Sequence, residues 1–219
     1  GLRRGEIGKP LIAVVSSFNE IVPGCMPLRK LAESVKQGVR QGGGVPFEFN
    51  TIGVCDGIAQ GNAGMYYSLP SRDIIAYSVE IMLEAHRFDG AVFLVSCDKI
   101  TPGMIMAMAR VNIPSIAVAA GIMRDGEFGG EKITTSLMRE CIGRTQAGRM
   151  TPEDLDRVEQ AACPSLGSCS MLGTANTMNC MAEAMGLTLP LSATLSADSA
   201  EKQREAVAAL LGDHVKLQR

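Results

Sequence analysis

Four short apolar runs divide the first 121 residues: LIAVVSSF (11–18), FEFNTIGV (47–54), GAVFLVS (90–96) and SIAVAAG (115–121). Runs of this length, rich in β-branched residues, read as strands, and the nearly unbroken ones as strands buried on both faces. Helical patterns lie between them. MPLRKLAESVKQGVRQGGG sets Leu28, Leu31, Val35 and Val39 at helical spacing, with Pro27 in the first turn and Gly42 to Gly44 as the stop. SRDIIAYSVEIMLEAHRF aligns Ile75, Val79, Met82 and His86 on one face, with Ser71 as its expected N-cap. PGMIMAMARV is expected to start at Pro102 under a Thr101 cap. Strands joined by crossovers this long pair in parallel, so the chain predicts a layered α/β/α domain with a largely parallel sheet, followed by a helical segment.

The helical segment begins where the pattern turns polar. Residues 122–162 are expected to be helical, with Thr151, Pro152 and Glu153 as a helix start. SCSMLGTANTMNCMAEAMGL reads as a further helix ended by Gly186, and 199–211 as a last one. The expected organisation is an α/β core over 1–121 and a mostly helical part over 122–219.

Composition narrows the function classes. With 46% hydrophobic and 20% charged residues, the chain can bury a core. A net charge of −2 with scattered Lys and Arg argues against a nucleic-acid partner. No apolar run reaches the roughly 18 residues of a membrane span, and no signal pattern opens the chain. The expected location is cytoplasmic. Seven cysteines, an odd number, then read as reduced thiols. With no C-x-x-C pair and two histidines, a zinc site is disfavoured, so any metal falls to sulfur and carboxylate.

Reactive groups collect at the expected strand ends, where ligands bind in parallel α/β sheets. The first run ends in Asn19 and Glu20, the second in Cys55 and Asp56, the third in Cys97, Asp98 and Lys99. Asp56 and Asp98 offer the hard oxygens magnesium takes, and Cys97 the thiolate that iron–sulfur clusters take. Lys99 has two open roles: a cation for an anionic substrate, or, carboxylated by carbon dioxide, a third oxygen ligand. Plainer readings stand beside these. A cysteine at a strand end is commonly a small buried hydrophobe; Cys55, beside Asp56, is a spare-ligand candidate that is read as ordinarily buried, and Asp56-Gly57 has the form of a turn. Cys141, Cys180 and His86 are read as structural, and the methionines of MIMAM as core.

Three longer stretches carry a resemblance. SLPSRDIIAYSVE (68–80), SCDKITPGM (96–104) and CPSLGSCSMLGTANTMNCMAEAMGLTLP (163–190) together resemble the dihydroxy-acid and sugar-acid dehydratase family, in order from about Lys9 to Pro190. The resemblance implies dehydration of a 2,3-dihydroxy acid to a 2-keto acid, with an iron–sulfur cluster (two-iron or four-iron) and Mg2+ as cofactors. It implies Cys97 and Cys169 as cluster ligands, and Asp56, Asp98 and carboxylated Lys99 as magnesium ligands. It places the proton-abstracting serine in a carboxyl-terminal barrel domain absent here, so no catalytic base is expected in this chain and no turnover from it alone.

Two departures bear on the site. Where many members carry a cluster cysteine after the proline of "VP", this chain has Gly24, with Cys25 one residue later; Cys25 as third ligand is left open. Leu166 stands where the family's middle cysteine of CPTCGSC falls, and Cys163 and Cys169 remain. CDKITPGM and NIPSIAV resemble the branched-chain amino-acid enzymes more than the sugar-acid ones. The expected function is therefore dihydroxy-acid dehydration in branched-chain amino-acid synthesis, by a homodimer. The alternatives are an aldonate or phosphogluconate dehydratase and, in a different class, a non-catalytic metal-binding or interaction module.

Overall fold

The structure, a computed structural model, describes residues 1–209, so positions 210–211 of the last expected helix lie outside the described residues. The four apolar runs form β1 (Leu11–Ser16), β2 (Val45–Asn50), β3 (Gly90–Val95) and β4 (Ser115–Ala119). All neighbours pair in parallel, in the order β2-β1-β3-β4. The crossovers are α1 (Leu28–Gln41) after β1, the short α2 (Asp56–Ala59) and long α3 (Ser68–His86) after β2, and α4 (Ile100–Val111) after β3. This is the layered α/β architecture the apolar runs predict. The central strands are buried on both faces: Ala13, Val14 and Val15 of β1 and Phe93, Leu94 and Val95 of β3 are fully enclosed. Edge strand β2 alternates instead and tolerates Pro46, as an edge can.

The strand order places a crevice. From β1 the chain steps outward to β2 and then returns to β3 on the other side of β1. The order of the strands reverses between β1 and β3, and sheets of this kind bind ligands beyond the carboxyl ends of the strands near such a reversal.

Helices α3 and α4 cross closely because Gly103 has no side chain. A Cβ there would lie 2.7 Å from the carbonyl oxygen of Arg72 and 3.0 Å from Ile75. Gly103→Ala is expected to cost about 1–3 kcal/mol by overpacking. Urea denaturation measures this, and an unchanged midpoint would mean the crossing has slack.

Several local expectations are corrected. Helix α3 starts at Ser68, so Ser71 lies inside the first turn and donates its hydroxyl to the Ser68 carbonyl. Pro70 suits that turn, where no amide partner is needed. Helix α4 starts at Ile100 with Lys99 at the cap position, and the Thr101 hydroxyl is buried with no partner among the described residues. The segment 122–162 is not all helical: β5 (Gly126–Phe128) and β6 (Glu131–Ile133) form an antiparallel hairpin. Gly129 and Gly130 turn it with φ of +62° and +83°, the signature of a tight two-residue hairpin loop. Helices α5 (Thr135–Gln146) and α6 (Pro152–Ala161) follow, burying Cys141 with Ile133, Val158 and Ala162. Residues 168–173 are loop, and the helix there, α7, runs only Thr174–Ala184. Helix α8 (Ala200–Ala208) is capped by Ser199.

Candidate functional site

The crevice is built mainly from the segments that follow β2 and β3 and the loop that precedes α7. Cys97 leaves β3 in the left-handed conformation, with φ +64°. For a residue with a Cβ this costs on the order of 1–2 kcal/mol. The sharp turn sends Cys97 to one side and brings Asp98 and Lys99 toward Asp56, the first residue of α2.

The carboxylates and the lysine form a compact group. Lys99 Nζ donates to Asp56 Oδ2 at 2.5 Å and lies 4.0 Å from Asp98 Oδ2. Ser68 Oγ donates to Asp56 Oδ1 at 2.5 Å. The Ala175 amide, in the first turn of α7, donates to Asp98 Oδ1 at 3.1 Å. Burial pushes the Asp98 carboxyl above its usual range, reinforced by the charge of Asp56 and opposed by Lys99. Two half-buried acids thus face one cation.

The sulfur side is a cavity of about 240 Å³ whose lining includes Cys55, Cys97 and Cys169 as well as Asp56 and Asp98. Burial pushes the Cys169 thiol up to about 11, with Cys97, Cys55 and Asp98 adding to the effect. The Cys97 thiol is held well above its ordinary value by its hydrogen bond to Cys25 and then by burial. Thiols this reluctant to ionise alone are ones that a bound metal's charge would ionise.

Cys169 sits on a loop clamped by Asn176. The Asn176 amide donates to the carbonyls of Cys169 at 2.8 Å and Met171 at 2.6 Å, and its oxygen accepts from Ser168 Oγ at 2.8 Å. Gly167 passes so close to Met123 that a Cβ would lie 2.5 Å from its amide.

Other expected residues fall outside the cavity lining. Cys25 is fully buried, with its thiol 3.5 Å from Ser17 Oγ. Asn19 spends its side chain on its own loop, accepting from the Ile21 and Val22 amides and donating to the Ser17 carbonyl. Glu20 is exposed. Conversely, Cys55, for which the sequence favours ordinary burial over a spare-ligand role, is half-buried and lines the cavity. Ser68 and Asn176 were also missed. Ser68 lies within a quoted motif but carries no local sign of its long-range partner, and Asn176 reads as an ordinary helix residue.

The donors fit the groups that the resemblance implies, in two different ways. Among the described residues, no three His, Cys, Asp or Glu side chains converge as one metal ion requires. Thiols spread around a cavity instead suit a polynuclear cluster, which spans more space than an ion with ligands at about 2.3 Å. On the other side, the Lys99 ammonium lies beside two carboxylates, so the group already accommodates a positive charge. A larger concavity of about 600 Å³ lies beside β4 and α7, but its acid, Glu183, is engaged by the Leu191 and Ala193 amides.

Comparison with known proteins gives the family of the chain. Residues 9–215 match the family described as dihydroxy-acid/6-phosphogluconate dehydratase N-terminal. The dihydroxy-acid dehydratase of Pyrococcus abyssi is 51% identical over 204 residues, which cover 93% of this chain and 37% of the relative. That of Methanococcus maripaludis (strain C7) is 54% identical over 199 residues, covering 91% of this chain and 36% of the relative. The chain therefore spans a little over a third of the length of these curated relatives.

Proposed function

Because the chain belongs to the dihydroxy-acid/6-phosphogluconate dehydratase family, we propose that it is the cofactor-holding part of an enzyme that dehydrates a 2,3-dihydroxy acid to a 2-keto acid, in branched-chain amino-acid synthesis. An iron–sulfur cluster and Mg2+ would supply Lewis acidity toward the leaving hydroxyl and the substrate carboxylate. The observation that carries this reading is the Cys97-Asp98-Lys99 turn, whose thiol lines a sulfur-rich cavity and whose lysine joins Asp56.

In this reading Cys97 and Cys169 hold the cluster, and Asp56 and Asp98 give oxygen to Mg2+. Ser68 and the Ala175 amide orient the two carboxylates, whose remaining oxygens face Lys99. Carboxylation of Lys99, in which the ammonium loses its protons to solvent and the nitrogen adds carbon dioxide, would turn that competing cation into an anion, and the three side chains would then hold Mg2+. Asn176 keeps Cys169 in reach by fixing its loop. The proton-abstracting serine lies in a carboxyl-terminal barrel domain beyond this chain. Cytoplasmic location and homodimeric assembly belong to the same proposal. In support, no helix among the described residues is long and apolar enough to cross a membrane, and α3 exposes Ile74, Tyr77 and Ile81 on one face.

The test uses this chain within a protein of its relatives' length, reconstituted anaerobically with iron, sulfide and Mg2+. A branched 2,3-dihydroxy acid is expected to give 2-keto acid with kcat/KM at least about tenfold above that for an aldonate. The reverse preference would assign it to sugar-acid dehydration. Metal uptake without keto acid from either substrate would leave a non-catalytic module.

A further inference from the structure

We propose that Cys55 is a third protein thiolate for the cluster, and that Cys25 is not. The inference rests on the cluster reading above and specifies which thiols surround it.

Cys163 is exposed and does not line the cavity, which leaves three positions in competition. Gly24 has no thiol, and its place is already filled, since a Cβ there would sit 2.5 Å from Cys97 Sγ and 2.6 Å from Ser96 Oγ. Cys25 is hydrogen-bonded to the Cys97 thiol and lies 3.5 Å from Ser17 Oγ, but it is fully buried behind Cys97 and does not line the cavity. Cys55 is partly accessible and shares the cavity wall with Cys97 and Cys169.

The local chain explains why. Cys55-Asp56 and Cys97-Asp98 are the same dipeptide, carried beyond the carboxyl ends of β2 and β3, the two strands that flank β1. Cys55 is extended, with φ −98° and ψ 111°, as it enters α2. Consecutive side chains diverge in extended backbone. That leaves Cys55 at the sulfur cavity while Asp56 reaches Lys99 at 2.5 Å. Each pair contributes one soft and one hard donor, so one crevice sorts sulfur to iron and oxygen to magnesium. On binding, each thiol releases its proton to solvent as an iron–sulfur bond forms, with no change of oxidation state.

The experiment reconstitutes the chain anaerobically with ferric and ferrous iron and sulfide, then assays bound iron, acid-labile sulfide and the visible spectrum. Cys55→Ser is expected to lower bound iron about tenfold, as Cys97→Ser does, while Cys25→Ser keeps it. In the wild type, iodoacetamide labelling of Cys55, read by mass spectrometry, should fall about tenfold on loading and return after iron is chelated. That readout needs no variant to fold. Full iron in Cys55→Ser with unprotected Cys55 overturns the proposal, and loss of iron in Cys25→Ser alone transfers the role to Cys25. A wild type that takes up no iron defeats the cluster reading itself, a different result from either.

Discussion

Lys99→Arg is expected to weaken Mg2+ binding by about 10–100-fold and to lower turnover by about 100-fold or more. The metal-free protein should keep its melting temperature. Arginine retains a positive charge beside Asp56 and Asp98, which Lys99 approaches at 2.5 and 4.0 Å, so the two acids stay compensated. Arginine cannot, however, shed its proton and take up carbon dioxide. It stays a cation where the metal reading needs an anionic oxygen. The rival role of Lys99, an ammonium for an anionic substrate, makes the opposite prediction, because a guanidinium binds carboxylates well. Calorimetric Mg2+ titration in bicarbonate buffer, with a keto-acid assay at the relatives' length, separates the two. An arginine variant with wild-type metal affinity and turnover would end the ligand role.

The second large effect concerns stability, far from the crevice. Lys202 on α8 is fully buried, ion-paired with Glu205 at 2.6 Å, and donates to the Ser192 carbonyl at 3.1 Å. The other carboxylate oxygen of Glu205 is buried with no partner among the described residues. Lys202→Met is expected to cost about 3–5 kcal/mol, because it strands a buried carboxylate. Adding Glu205→Leu should recover most of that loss, since an apolar pair of similar volume needs no desolvated charge. Urea denaturation of the two single variants and the double gives the coupling. A double variant as unstable as Lys202→Met would mean that the aliphatic stem of the lysine matters more than its charge.

Acidity gives an independent check on that pair. Burial lowers the Lys202 pKa below the ordinary 10.5, against the opposing pull of Glu205. The folded state therefore binds this proton less tightly than the unfolded chain. The penalty is complete below the folded pKa and vanishes as pH rises toward 10.5. Wild-type stability should accordingly gain on the double variant over that alkaline window.

How much of this was legible in the sequence depends on the range of the interaction. The nearly unbroken run GAVFLVS meant a strand covered on both faces, and β3 is such a strand. The hairpin at 126–133 was missed although Gly129-Gly130 marked it locally, because the polar character of 122–162 was weighed as helix. Ser71 and Thr101 were taken as caps because hydroxyls favour that position, but each helix begins earlier. Pro70 fits the first turn of α3, and the Cys97 turn starts α4 at once. The site divides the same way. Cys97, Asp98, Lys99 and Asp56 are legible from residue type and Cys169 from the family motif, whereas sequence favours Cys25 over Cys55 as third ligand and the cavity wall holds Cys55 instead.

By itself the sequence determined the elements, the parallel sheet and the kinds of donor available, because hydrophobic period and ligand hardness are properties of neighbouring residues. Only the tertiary structure decided which thiols share a wall and which acids share a cation. Ala175 reaches Asp98, the Gly24 backbone makes room for Cys97, and Asp56 meets Lys99. These partners are distant in sequence, and the loops that bring them together have no period from which a facing direction could be read.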